Sequence, residues 1–366
     1  MSAAADRPAV SGRARRRDRR VYLSSHPLLF ALLAATRGRP VLRLGGTVLV
    51  HGTEAFRTTL ARVPLDRTAA GTTGGAAGEL AGSGALFDQQ GDDHRGARRD
   101  TAAMLGSAGV ARLRPVWMKL LDDRLPALAT GGEVDLVPLA AEIAGATAAE
   151  LLHLDVDPVE LASAARLAAS RAARAHLPGP GRWRAERSAA TAAAQLVDLV
   201  APTGSDEAGL RSMLAVAAIN TTVAALPRAA AWACDDGLWD HAGNPALTDE
   251  LLRVTAPTPL LPRVAAAEAE VEGCPIRPGD RLLLIARHAA GSHRRDPDPV
   301  EPASPRTAQL VFGTGAHACP GAALARAQLT DFLQALAPCR PVVTRARADR
   351  RAALPGWRTL RIKGTS

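Results

Sequence analysis

Apolar positions recur at helical spacing over most of the chain, and strand-like alternation is confined to short runs. Leu28, Leu29, Phe30, Leu32 and Leu33 predict a first amphipathic helix over 26–37. Pro40–Leu44 and Thr47–Val50 read as strands around Gly45-Gly46, a hairpin signal. Residues 67–91 are rich in Gly, Ala and Thr with little periodicity, which predicts a long loop, and such loops in compact domains are often functional. From about 92 to 256 the pattern is almost wholly helical. Leu120, Leu121, Leu125 and Leu128 space one helix, and Leu139, Ile143, Leu151 and Leu152 the next. The stretches 156–175, 182–200 and 206–234 add three more, parted by Pro178-Gly179-Pro180-Gly181 and Pro202-Thr203-Gly204. A short helix over 247–255 stops at Pro257 and Pro259. Strands are expected from Val264 onward and over Arg281–Ile285, around the turn Arg277-Pro278-Gly279-Asp280. A polar, Pro-rich segment over 292–308 leads to a Gly/His/Cys loop and a last helix over 320–337. The pattern describes a mostly α single domain with small β-sheets at one side. Residues 1–20 read as a flexible Arg-rich arm and 21–366 as the folded domain.

Composition narrows the function. A chain of 366 residues that is 47% apolar buries a large core and excludes wholesale disorder. The net charge of +9 raises nucleic acid as a partner, but seven arginines lie in the first twenty residues. Aromatics are only 3% and no nucleic-acid motif is present, so nucleic acid is excluded as a partner. A basic surface suits an acidic electron-transfer protein better. Cys234, Cys274, Cys319 and Cys339 are scattered without a CxxC pair, which reads as reduced thiols in the cytoplasm. The basic start followed by Leu28–Ala35 resembles a signal peptide. Pro27 and Arg37 flank that run closely, and no stretch reaches the ~20 apolar residues of a membrane span. No membrane partner is expected.

The segment that carries chemistry is Phe312-Gly313-Thr314-Gly315-Ala316-His317-Ala318-Cys319-Pro320-Gly321, continuing to Arg326. Its glycines let the backbone turn tightly and approach a flat ligand. Cys319 stands just before a helix whose Leu329, Phe332, Leu333 and Leu336 keep helical spacing. A helix N-terminus stabilises a thiolate, the species that binds iron or attacks electrophiles.

The whole string resembles the haem-binding signature of the cytochrome P450 family, Phe-x-x-Gly-x-His-x-Cys-x-Gly, at every fixed position. The resemblance covers roughly 21–364. It implies a cytochrome P450-like fold and haem b held through the Cys319 thiolate as axial iron ligand, with Phe312, Gly313 and Gly321 shaping the loop. Further positions resemble the family in chain order. His94 and Arg98 match its His-x-x-x-Arg, and i, i+4 spacing puts both on one helical face toward the haem propionates. Arg263 and His317 match further propionate contacts. Glu250 and Arg253 match its Glu-x-x-Arg, a buried structural network, with Arg306 the candidate third member.

The helix over 206–234 resembles the oxygen-binding helix. Thr221 is retained as a catalytic position, but Ala218 replaces the family's glycine and Asn220 its acid. Asn220 cannot ionise, yet its amide can hold a water, so if the protein hydroxylates an Asn220→Asp change is expected to be tolerated or to improve coupling. Pro227 is expected to kink the helix near the carbonyl of Val223. The resemblance implies a monooxygenase that splits O2 and places one oxygen on a small apolar organic substrate, such as a terpenoid or polyketide. Ferredoxin and ferredoxin reductase are the implied electron donors. Asn220 favours the alternative of a non-hydroxylating catalyst of cyclisation, coupling or isomerisation. Cys319 argues against a haemless scaffold that activates a partner enzyme.

Overall fold

The computed structural model describes residues 12–66, 68–70, 72, 101, 103–175, 182–201, 208–315 and 318–365. The long loop expected at 67–91 lies almost wholly outside them, as do His94, Arg98 and His317.

Helices α1 (Arg13–Ser25) and α2 (Pro27–Thr36) open the described chain. Strands β1 (Val41–Leu44) and β2 (Thr47–Val50) form the expected hairpin, with Gly45 at φ 58 in its turn. Then come α3 (Thr53–Arg62), β3 (Leu65–Asp66), α4 (Ser107–Arg124), α5 (Pro126–Ala129), β4 (Glu133–Asp135) and α6 (Leu136–Leu151). Next are α7 (Pro158–Ala175), α8 (Arg182–Val200), α9 (Ala208–Asp236) and α10 (Pro245–Thr255). Strands β5 (Leu261–Ala265), β6 (Ala269–Val271), β7 (Cys274–Ile276) and β8 (Arg281–Leu284) precede α11 (Ala286–Ala289), α12 (Pro305–Ala308) and α13 (Ala322–Leu336). The chain closes on β9 (Val342–Asp349) and β10 (Gly356–Lys363).

One sheet has the order β1-β2-β8-β5-β3, parallel only between β2 and β8. The others are β4-β10-β9 and the β6-β7 pair. The mostly α domain with small sheets is therefore present. Helix α9 runs through its middle, packed against α6, α7, α8, α10 and α13. Among the described residues it alone is long and apolar enough to cross a membrane. Its buried Ile219, Ala229, Ala230 and Ala233 belong to the main core.

Local chemistry sets the helix limits. Asp135 caps α6 by accepting from the Val137 amide at 3.1 Å, and Asn244 caps α10 from Ala246 at 2.9 Å. Pro245 at the first turn starts α10 two residues before the expected boundary. Helix α10 ends at Ala256, φ 36, ahead of Pro257. Helix α9 continues through Pro227, which leaves the Val223 carbonyl without its usual i+4 donor.

The expected arm over 1–20 is corrected from Arg13 onward. There the chain is helical, and its charges are sorted by face. Arg15 donates to Asp296 at 2.6 Å and Arg17 to Asp235 at 2.6 Å. Asp18, 3% exposed, accepts from Arg228 Nε at 2.8 Å and Nη2 at 2.6 Å, and from Arg287 Nη2 at 2.7 Å. The arginine run lacks a helical apolar stripe, so its pattern gave no sign of docking; distant acids hold it.

Three histidines meet beside β2. Thr36 Oγ1 donates to the Leu32 carbonyl and lies 3.1 Å from His51 Nε2, so that nitrogen carries the proton. His51 Nδ1 then accepts from His288 Nδ1 at 2.8 Å. Burial lowers the His51 pKa to about 4. His293 packs edge-on against His288 at 5.1 Å.

Candidate functional site

Gln309–Phe312 form a tight turn into the cysteine loop. Gly313 then takes φ 75, ψ -178, a region essentially closed to side chains, and Gly315 takes φ 63. The Cys319 amide donates back to the Phe312 carbonyl at 2.6 Å, closing the loop, and Ala318 N donates to Gly315 O at 3.1 Å. Pro320 and Gly321 complete the turn, so α13 begins at Ala322, two residues after the expected start. A Cβ at Gly321 would meet only ordinary contacts, Cys319 Sγ at 3.8 Å among them.

Arg326 braces this loop, a role the sequence did not announce. Its guanidinium lies 4.6 Å from the Phe312 ring centroid, donates to Asp249 Oδ1 at 2.6 Å and to Gln309 Oε1 at 3.2 Å. One turn of α13 therefore ties the loop to α10. The i+7 position of Arg326 relative to Cys319 was the available signal.

Cys319 is exposed, and it opens onto a cavity of about 500 Å³. Phe312, Gly321 and Leu324 stand on its side of that cavity. The wall from α9 carries Ala217, Ala218 and Thr221, whose small side chains leave room. Pro257 and Thr258, just after α10, and Arg263 of β5 add a third wall. Alanines 169, 172, 173 and 193 from α7 and α8 make it predominantly apolar. Thus Cys319, Phe312, Gly321, Arg263, Thr221 and Asn220 are brought together.

Thr221 Oγ1 donates to the Ala217 carbonyl at 2.8 Å. Asn220 is engaged elsewhere: Nδ2 donates to Val216 O at 2.9 Å and across to Ala165 O of α7 at 3.3 Å. These bonds give Asn220→Asp a cost in packing, apart from any effect on coupling. A carboxylate here would face two carbonyl oxygens with no proton to offer.

Glu250 and Arg253 form a fully buried pair, each side chain 1% exposed. Arg253 Nε and Nη2 donate to Glu250 Oε1 and Oε2 at 2.7 and 2.6 Å. Burial alone would raise the Glu250 pKa, but Arg253 and the backbone amides of Asp298 and Ala303, at 3.1 and 3.0 Å, hold it below the usual carboxylate range. Arg253 spends its remaining N–H groups on the carbonyls of Ala290, Arg295 and Asp296. Arg306 is not the third member: it is exposed on α12. The short polar segment wraps its backbone around the pair and satisfies it without another side chain.

No protein-family model matches the chain. Over 101 residues it is 37% identical to cytochrome P450-terp of a Pseudomonas species, covering 27% of this chain and 24% of that protein. Over 99 residues it is 39% identical to the erythromycin C-12 hydroxylase of Saccharopolyspora erythraea, 24% of each chain. These matches span about a quarter of the relatives' length. In structure it resembles CYP109E1 from Bacillus megaterium in complex with testosterone, with a TM-score of 0.73, 15% identity, and coverage of 94% of this chain and 100% of that one. That likeness establishes the fold.

Fold and cysteine loop resemble those of haem-thiolate proteins. Over about a quarter of its length the chain is similar to bacterial cytochromes P450, and it has their fold. That likeness implies haem b with a cysteine thiolate on its iron. The residues present fit that group: an exposed thiol on a glycine-shaped loop faces an apolar cavity whose far wall is alanine and threonine.

Proposed function

We propose that the protein is a cytoplasmic monooxygenase that places one oxygen atom from O2 on a small apolar molecule, with Cys319 as the iron ligand. The observation that carries this reading is the single cavity shared by the Cys319 thiol and the Thr221 hydroxyl. When bound, haem supplies an iron centre whose thiolate ligand favours cleavage of the O–O bond.

The chain's own residues then have distinct tasks. The loop amide at Cys319 and the Arg326 brace hold the thiol toward the cavity. Alanines of α7, α8 and α9 exclude water and receive an apolar substrate, a specialised metabolite such as a terpenoid or polyketide. Thr221 sets its hydroxyl at the cavity wall: the proton goes to the Ala217 carbonyl at 2.8 Å, leaving the oxygen lone pairs to accept from a water, and only rotation of the hydroxyl would turn its proton toward the cavity. Arg263 offers a cation at the same wall, suited to a propionate, with His94, Arg98 and His317 its partners by resemblance. Ferredoxin and ferredoxin reductase supply the electrons. A non-hydroxylating reaction is the second reading, favoured by Asn220, whose amide is committed to helix packing rather than to a proton path.

The reduced carbon monoxide difference spectrum tests the assignment. Wild type should show the red-shifted Soret band of thiolate ligation, and Cys319→Ala should lose it. Cys234→Ala, Cys274→Ala and Cys339→Ala should keep it. Loss of the band in one of those three, with Cys319→Ala intact, would place the ligand elsewhere.

A further inference from the structure

The signal-peptide-like run near the N-terminus plays no part in the proposed reaction. Helices α1 and α2 are built into the domain, since Asp18 of α1 accepts hydrogen bonds from both buried Arg228 and buried Arg287. Phe30 and Leu33 of α2 are buried with Tyr22, Leu49 and Ile285. The other face of α2 is bare. Its exposed residues are Pro27, Leu28, Ala31, Leu32 and Ala35, none polar. Leu28 is 89% exposed and Leu32, one turn on, is 45% exposed. A helix apolar on all sides belongs in a core or in lipid, and only half of this one is in a core.

Arginines bracket that face. Arg19 and Arg20 are exposed midway along α1, and Arg37 and Arg39 just beyond α2. No acidic partner holds these four among the described residues, unlike Arg15 and Arg17. At the start of α2 an open hollow of about 450 Å³ is lined by Arg20, Leu23, Ser24, Ser25, Pro27 and Arg350. Two guanidinium groups and the Ser24 hydroxyl there suit an anionic phosphate headgroup, while Ser25 Oγ donates to the Tyr22 carbonyl.

We propose that α2 is a peripheral docking surface for anionic phospholipid membranes, lying in the plane of the interface with Leu28 and Leu32 in the acyl boundary. Ten residues are too few to cross a bilayer, so the helix lies on it. The flanking arginines and the hollow take headgroups, where each basic residue near an anionic surface adds attraction. A fluid bilayer fits this face better than a protein does. A leucine standing 89% clear of a convex helix needs a complementary pocket in a rigid partner, whereas acyl chains close around it. Such a surface would depart from the expectation that no membrane is a partner.

Co-sedimentation of the full chain with vesicles tests the inference. Vesicles of phosphatidylcholine and phosphatidylglycerol in equal parts should pellet the protein at low salt. Phosphatidylcholine alone should bind it at least tenfold more weakly. The Leu28→Asp, Leu32→Asp double variant should lose roughly tenfold or more of the binding, since two leucines leave the acyl boundary. Because both positions are exposed, its far-ultraviolet circular dichroism should match wild type. Arg20→Glu with Arg350→Glu should remove the preference for phosphatidylglycerol. Equal binding by wild type and the leucine double variant would overturn the proposal, as would absence of binding to mixed vesicles at low salt. So would light scattering that shows a wild-type dimer converted to monomer by the leucine changes without any vesicle binding, which would make the face a contact between copies.

Discussion

Glu250→Gln keeps the size of a fully buried side chain and removes its charge. The carboxylate accepts two N–H groups from Arg253 and one amide each from Asp298 and Ala303. In the variant, the amide nitrogen points a donor at one of these donors, and the Arg253 charge is left buried without a counterion. Removing one partner of a buried pair costs about 3–5 kcal/mol. With about 2.1 cal/mol/K of unfolding entropy per residue, a loss of about 4 kcal/mol in a 366-residue chain lowers Tm by roughly 5 °C. Arg306→Ala, by contrast, changes an exposed side chain and should stay within about 0.5 kcal/mol. Thermal unfolding followed by circular dichroism measures both, with haem content by pyridine haemochromogen as a second readout. A Glu250→Gln variant as stable as wild type, or an Arg306→Ala variant as damaged as Glu250→Gln, would refute the backbone-satisfied pair.

Asn220→Asp should destabilise the protein by about 1–3 kcal/mol in urea unfolding, because the Ala165 and Val216 carbonyls lose their donor. Thr221→Ala should divert electrons to peroxide, read as hydrogen peroxide formed per NADPH consumed; unchanged peroxide with full product yield would favour the non-hydroxylating reading. Pro320→Leu adds an amide N–H beside the thiolate, and hydrogen bonds to that sulfur should raise the iron midpoint potential in a redox titration. Acid should weaken the fold: below about pH 6.5 the unfolded chain takes up a proton that folded His51 refuses until about pH 4. Stability is therefore present above pH 6.5 and lost between there and pH 4, and His51→Gln should flatten the fall of the urea midpoint over that range.

The cysteine loop was legible because its determinants are local. Gly313, Gly315 and Cys319 lie within seven residues, and the backbone angles they require are a property of those residues. The helices over 158–175, 182–200 and 208–236 were legible for the same reason, through spacing and Pro/Gly breaks. Glu250 and Arg253 sit at i, i+3 on one helix, so their pairing was local too. Only the tertiary structure decided what surrounds that pair: backbone groups about forty to fifty residues on, rather than Arg306. It likewise gave Asn220 a partner 55 residues away, a bond that no i, i+4 pattern encodes. The N-terminal arginines show the limit most plainly. As a string they describe a solvated arm, because charge repels itself and carries no apolar stripe. Their order comes from Asp235, Asp296, Arg228 and Arg287, more than two hundred residues distant in the chain, which long-range packing alone brings within hydrogen-bond reach.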